Sequence, residues 1–194
     1  MAIKITNLSK AYDDKVVLNG FNLTLEKGIT SIMGASGSGK TTLVNILAGF
    51  IKPDKGEMDI PPDTRFSFVF QEDRLLEWET SLANVLFVRK DPKEATPKAI
   101  ELLTQADLES SIQKKARELS GGMKRRVAIC RALIADYDVL ILDEPFKGLD
   151  AGIKPKIMQM VKNNAKNKYV LVITHDPSEV EFLGGKVVDI LSTL

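Results

Sequence analysis

The chain of 194 residues holds one cysteine, Cys130, and one histidine, His175. A single cysteine excludes an intrachain disulfide and fits a reducing compartment. One Cys and one His also leave too few ligands for a zinc site of the usual kind. A Ser-His-Asp hydrolase would have to use that same histidine. Long apolar runs are missing: none exceeds six residues, from Ile46 to Ile51, whereas a spanning helix needs about 20. The opening Met-Ala-Ile-Lys-Ile has no apolar signal-peptide core. Charge of one sign is not in excess either. With 27 basic and 26 acidic side chains the net charge is +1, which argues against a grip on nucleic acid by bulk charge. The expectation is a soluble chain with no nucleic-acid partner.

What is present is ordinary in amount and informative in order. Hydrophobic residues are 44% and charged residues 27%, the balance of a globular domain, and one domain of this length can bury a full core. Ile3 to Leu8 and Phe21 to Leu25 alternate apolar with polar residues and read as strands joined through Asp13-Asp14-Lys15. Ile29 to Met33, Phe66 to Phe70, Val139 to Leu142, Val170 to Ile173 and Val187 to Leu191 are short apolar strands. Helical patterns cover Lys40 to Phe50, a middle section from Ser81 to Ala116 with Pro92 and Pro97 as breaks, and Gly121 to Ala135. Pro53-Asp54-Lys55-Gly56 reads as a turn. Strands alternating with helices predict a parallel α/β sheet with an antiparallel N-terminal portion. No repeat and no linker divides the chain.

Gly34-Ala35-Ser36-Gly37-Ser38-Gly39-Lys40-Thr41, followed by Thr42, fits G-x-x-x-x-G-K-[ST] between a strand and a helix. The glycines let the backbone wrap a polyphosphate with its N–H groups pointing inward, and the following helix offers its N-terminus to the negative charge. Lys40 supplies a charge for the β- and γ-phosphates, and Thr41 a hydroxyl for Mg²⁺. Downstream, Val139 to Leu142 runs into Asp143 and Glu144. Acids at the C-terminal end of a parallel strand lie where such sheets bind ligands. Asp143 can hold Mg²⁺ through water, and Glu144 can polarise an attacking water. Ser120, with Gly121 and Gly122 after it, reads as an N-cap at a helix start, an end suited to anions.

These motifs, in this order, resemble the ATP-binding cassette ATPases of bacterial transporters, over nearly the whole chain from Ile3 to Leu191. The resemblance implies a P-loop NTPase fold: a mixed, mostly parallel sheet, an antiparallel N-terminal portion and an inserted helical subdomain. One domain would span 1–194, with its core in 1–75 and 136–194 and the helical subdomain over about 76–135. It implies ATP and Mg²⁺ as ligands. Tyr12 would stack on adenine, and Gln71 would sense Mg²⁺ and the attacking water. Leu119 to Gly122 match the signature, Gly148-Leu149-Asp150 the loop at the dimer interface, and His175 the switch histidine at the γ-phosphate. It implies a head-to-tail homodimer or paired ATPase subunit, in which Ser120, Gly121 and Gly122 close the partner's site. It further implies transmembrane permease subunits, an extracytoplasmic substrate-binding protein if the system imports, and a place on the cytoplasmic face of the membrane.

The segment Gln71 to Trp78 is similar to the nitrate, sulfonate, taurine and thiamine importer ATPases. Glu77, where proline is common there, and Lys147, where a small residue is usual, depart from that pattern. In such relatives the region from Leu75 to Val88 receives a helix of the membrane subunit, with Leu75, Leu76 and Trp78 as contact residues here. Lys114 to Arg131 holds seven basic residues, and Lys154 to Lys168 five lysines; both read as solvated helix faces. An exporter or cell-division ATPase, a soluble cassette ATPase acting on DNA or ribosomes, and a P-loop kinase or GTPase are the alternatives. No Asn-Lys-x-Asp guanine-reading motif supports the last.

Overall fold

A computed structural model describes residues 3–13, 15–35 and 37–190. In chain order the elements are β1 (Ile3–Tyr12), β2 (Lys15–Leu25), β3 (Gly28–Met33), α1 (Lys40–Leu47), β4 (Lys55–Asp59), β5 (Phe66–Val69), α2 (Ser81–Leu86), α3 (Pro92–Gln105), α4 (Gly121–Ile134), β6 (Val139–Asp143), α5 (Lys154–Asn164), β7 (Tyr169–Ile173), α6 (Pro177–Leu183) and β8 (Lys186–Asp189). Five strands form one parallel sheet in the order β5-β6-β7-β3-β8, and three form an antiparallel sheet in the order β2-β1-β4. The antiparallel strands thus make a sheet of their own and add no edge to the parallel one.

Side-chain alternation divides the interior into two cores. Val139, Ile141, Leu171 and Ile173 point to one face of the parallel sheet, where α1 and the antiparallel sheet cover them. Leu140, Leu142, Val170 and Val172 point to the other, beneath α3, α4 and α5. Both faces are dry, which is why β6 has five consecutive buried residues. Truncating Leu142 to Ala would cost about 2–5 kcal/mol. Helices α2, α3 and α4 pack on one another. Cys130 sits in that packing, where burial pushes its thiol up to about 12, so it is an inert core residue. Among the described residues no helix is long and apolar enough to cross a membrane.

Three expectations need correction. Pro97 lies inside α3 and does not break it. It removes a single backbone hydrogen bond near the helix start, while Ala95, Ala99, Leu102 and Leu103 anchor the buried face. The turn read at Pro53 to Gly56 gives way at Lys55 to β4, whose edge pairing with β1 outweighs the polar composition. The last strand ends at Asp189, and Leu191 lies outside the described residues.

Candidate nucleotide site

Strand order brings the site together. β6 and β3 flank β7, so the loops leaving these three strands emerge side by side at their C-terminal ends. β5, beside β6, adds Gln71. A cavity of about 580 Å³ opens there, lined by Lys40, Thr41, Gln71, Asp143, Glu144 and His175 among others.

The loop after β3 is shaped by close approach. A Cβ on Gly34 would meet Ile190 Cγ2 at 2.5 Å and Ser38 Oγ at 2.7 Å. Gly39 has φ 94 and would press a Cβ within 2.6 Å of the Val17 carbonyl. Only glycine meets both demands. Lys40 is buried, and its ammonium donates to the carbonyls of Gly34 at 2.7 Å and Ala35 at 2.6 Å, with Ser38 Oγ at 3.5 Å. Ala35, Gly37, Gly39 and Thr42 also line the cavity; Ser36 lies outside the described residues.

Across the cavity, Asp143 is buried at the end of β6. Burial, then the neighbouring Glu144 carboxylate, raise its pKa; Lys40, Arg125 and a hydrogen bond from Thr41 pull the other way. The Thr41 hydroxyl and the Asp143 carboxylate are hard oxygen donors, the kind that suit Mg²⁺. Among the described residues no cluster of three or more His, Cys, Asp and Glu side chains could hold a metal. Two protein oxygens plus phosphate oxygens nevertheless fit the way Mg²⁺ is usually held beside a nucleotide. Glu144 adopts φ 48, uncommon for a residue with a side chain, and its N–H donates to the Ile173 carbonyl at 2.9 Å. That backbone turns its carboxylate to His175. Imidazole Nδ1 stands 2.8 and 2.9 Å from the two carboxylate oxygens. An ionised carboxylate only accepts, so Nδ1 carries the hydrogen.

Other expected residues lie away from the cavity. Tyr12, 43% exposed, ends β1 beneath the Lys10 ammonium, and Val17, unforeseen, lines the cavity instead. Ser120 caps α4 by accepting from the Met123 N–H at 3.3 Å, with Gly121 and Gly122 as its first two residues. All three lie outside the cavity lining. Gly122 approaches the Gly148 carbonyl closely enough that a Cβ would come within 3.3 Å. Asp150 is exposed and accepts from the backbone of Ile153 and Lys154 as α5 begins.

Lys114, Lys115 and Arg117 are exposed, as a solvated face requires, but the four cations of α4 are not a solvated face. Arg125 is buried and donates to the carbonyls of Phe70 at 2.6 Å and Gln71 at 2.5 Å, with Asp73 at 3.2 Å. Arg131 donates to the carbonyls of Arg74 and Asp73, both at 2.8 Å. Lys124 holds both oxygens of Glu77 at 3.0 Å. Arg126 donates to the carbonyls of Ala106, Asp107 and Gly122. The segment after β5 is therefore strapped along α4. Lys154 does similar work at the other end, bonding Asp176 at 2.7 Å, just after His175, and buried Glu179 at 2.6 Å within α6. Composition alone flagged these cations and gave no hint of their partners.

The ABC transporter family profile matches residues 18–147. An aliphatic sulfonates import ATP-binding protein of Corynebacterium glutamicum is 39% identical over 96% of this chain and 79% of its own length. A taurine import ATP-binding protein of Pseudomonas fluorescens is 40% identical over 86% of this chain and 68% of its own. Among solved structures, the ATP-binding cassette MJ0796 as a post-hydrolysis dimer bound to ADP and Pi superposes with a TM-score of 0.83 at 32% identity. It covers 96% of this chain and 93% of that one. Sequence and fold together thus place the chain in the ABC transporter family, among its ATP-hydrolysing cassettes.

Proposed function

We propose that this chain is the ATP-driven motor subunit of an importer, with Glu144 as general base. The observation that carries the ATPase part of this reading is the meeting of Lys40, Thr41, Gln71, Asp143, Glu144 and His175 around one cavity, and the import-protein relatives support the importer part. In the proposed reaction Lys40 and the loop N–H groups hold the phosphate chain, and Thr41 and Asp143 hold Mg²⁺. When bound, that ion offsets phosphate charge. Gln71 and Glu144 orient a water; its oxygen forms a bond to the γ-phosphorus as the bond to the β-phosphate oxygen breaks, and Glu144 takes the proton. His175 holds the Glu144 carboxylate and faces the γ-phosphate. Tyr12 supplies the adenine platform at the open rim.

Ser120, Gly121 and Gly122 lie outside the cavity of their own chain, so they serve a second subunit across a head-to-tail dimer, with Asp150 in the contact. The dimeric state of the structural neighbours supports this. The three packed helices form the moving subdomain, within about 76–135. A permease helix docks beside the Gln71 segment. Val85 is fully buried and Leu75, Leu82 and Leu86 pack on the core, whereas Trp78, Phe87 and Val88 are exposed. Next to them a groove of about 700 Å³ runs along Phe66, Phe68 and Phe70. Relatives named for aliphatic sulfonates and taurine make a small sulfonate the first substrate to assay, delivered by a binding protein outside the membrane. The cytoplasmic face follows from that assembly.

The test is phosphate release by wild type and Glu144→Gln with Mg·ATP. The variant is expected to bind ATP and lose at least about a hundredfold in turnover. Turnover within a factor of about three of wild type would remove Glu144 from this role.

A further inference from the structure

Lys147 stands in the turn that leaves Glu144. Its N–H closes that turn on the Glu144 carbonyl at 3.2 Å, between two residues of positive φ, Glu144 at 48 and Gly148 at 76. The side chain is exposed and lines the same cavity as Lys40, Thr41 and His175. The other basic side chains near the site have partners within the chain. Lys40 is held by loop carbonyls, Arg125 by the carbonyls of Phe70 and Gln71, and His175 by Glu144. Among the described residues Lys147 makes no side-chain hydrogen bond and no ion pair. A lysine ammonium on a flexible four-carbon stem can follow an anion that a fixed group cannot reach.

We propose that Lys147 contacts the terminal phosphate of bound ATP from the Glu144 side of the cavity, and so raises the preference for triphosphate over diphosphate. The inference rests on the nucleotide reading of the cavity. It selects the terminal phosphate because the turn carrying Lys147 also carries Glu144, the residue placed at the attacked phosphorus. The loop N–H groups hold the α- and β-phosphates from across the cavity and Lys40 reaches the β- and γ-phosphates, so Lys147 adds a second cation at the γ-phosphate from the opposite side. The contact is long-stemmed and solvent-exposed, so it is weakened by salt.

The test is calorimetric titration of the protein with Mg·AMP-PNP, a non-hydrolysable triphosphate, and with Mg·ADP. Protein is kept at a concentration where light scattering reports a monomer. Wild type is compared with Lys147→Met and Lys147→Arg. Lys147→Met is expected to bind AMP-PNP roughly fivefold more weakly and ADP within about twofold of wild type. Lys147→Arg is expected to keep most of the affinity, and the loss in Lys147→Met to shrink at 0.5 M salt. Unchanged AMP-PNP affinity, or an equal loss for both nucleotides, would overturn the contact. So would a defect confined to dimer formation, which would assign Lys147 to the subunit interface. If wild type bound neither nucleotide, the reading of the cavity itself would fail, a result distinct from any of these.

Discussion

The phosphate loop and the Gln71 segment flank the same cavity and are built by opposite means. The loop is local. Residues 34–41 follow one another in sequence, and its form comes from backbone conformation, with Gly34 and Gly39 meeting contacts that exclude a side chain. The Gln71 segment leans less on its own backbone, although Arg74 has φ 48 and lies over the Phe70 ring. It is held from outside, by Arg125 and Arg131 of α4, 54 to 58 residues further on. The Gln71 segment is tied to the helix whose N-terminus carries Ser120 by side-chain bonds to its backbone carbonyls.

Substitutions that attack each device separately can break this contrast. The largest effect is expected at Gly34→Ala. Its methyl group has no room between Ile190 and Ser38, so strain of about 2 kcal/mol enters the loop, and ATP affinity falls by roughly 30-fold on titration. Arg125→Lys comes next. The charge near Asp73 survives while the two-pronged hold on the Phe70 and Gln71 carbonyls is lost. Thermal or urea unfolding is expected to show a loss of about 1–2 kcal/mol. Turnover falls while ATP affinity stays within about threefold; an affinity loss as large as that of Gly34→Ala would erase the distinction between the regions.

Smaller effects sharpen the contrast. Glu77→Ala removes an exposed partner of Lys124 and is expected to change stability by less than about 1 kcal/mol in urea. At the far ends of β5 and β6, Arg65 bonds Asp136 and Asp138. The hydrogen bond from Arg65 lowers Asp138 from 3.8 to about 2. A depressed carboxylate stabilises the fold above its unfolded pKa and ceases to do so as pH falls through the folded one. Melting of Asp138→Asn is therefore expected to differ from wild type at neutral pH by no more than about 2 °C. The difference should vanish between about pH 4 and pH 2. A difference that persisted below pH 2 would rule out Asp138 ionisation as its source.

Local signals carried far in this sequence, and non-local ones did not. The apolar runs at Ile29 to Met33, Val139 to Leu142 and Val170 to Ile173 each became a buried parallel strand. The residues just past them, the loop from Gly34, Asp143 with Glu144, and His175, emerge at one end of the sheet because the strands are neighbours. The contact between Glu144 and His175 was legible only as two motifs 31 residues apart; the register that pairs Asp143 with Ile173 supplies the distance. Arg125 was hidden among seven basic residues, since composition cannot tell a cation in water from one bonded to a distant carbonyl. Pro97 misled because a proline's local penalty was outweighed by the buried face of α3. Edge pairing, as in β4, is likewise decided by the partner strand and not by the residues themselves.

The central claim is that one chain holds half a site, which ATP completes with a second chain. Glu144→Gln isolates binding from hydrolysis, and light scattering during size exclusion reads the outcome directly. With Mg·ATP the variant is expected to run at about twice the 21.4 kDa chain mass and to return to one chain's mass when nucleotide is removed. A single-chain mass at saturating Mg·ATP would contradict the account.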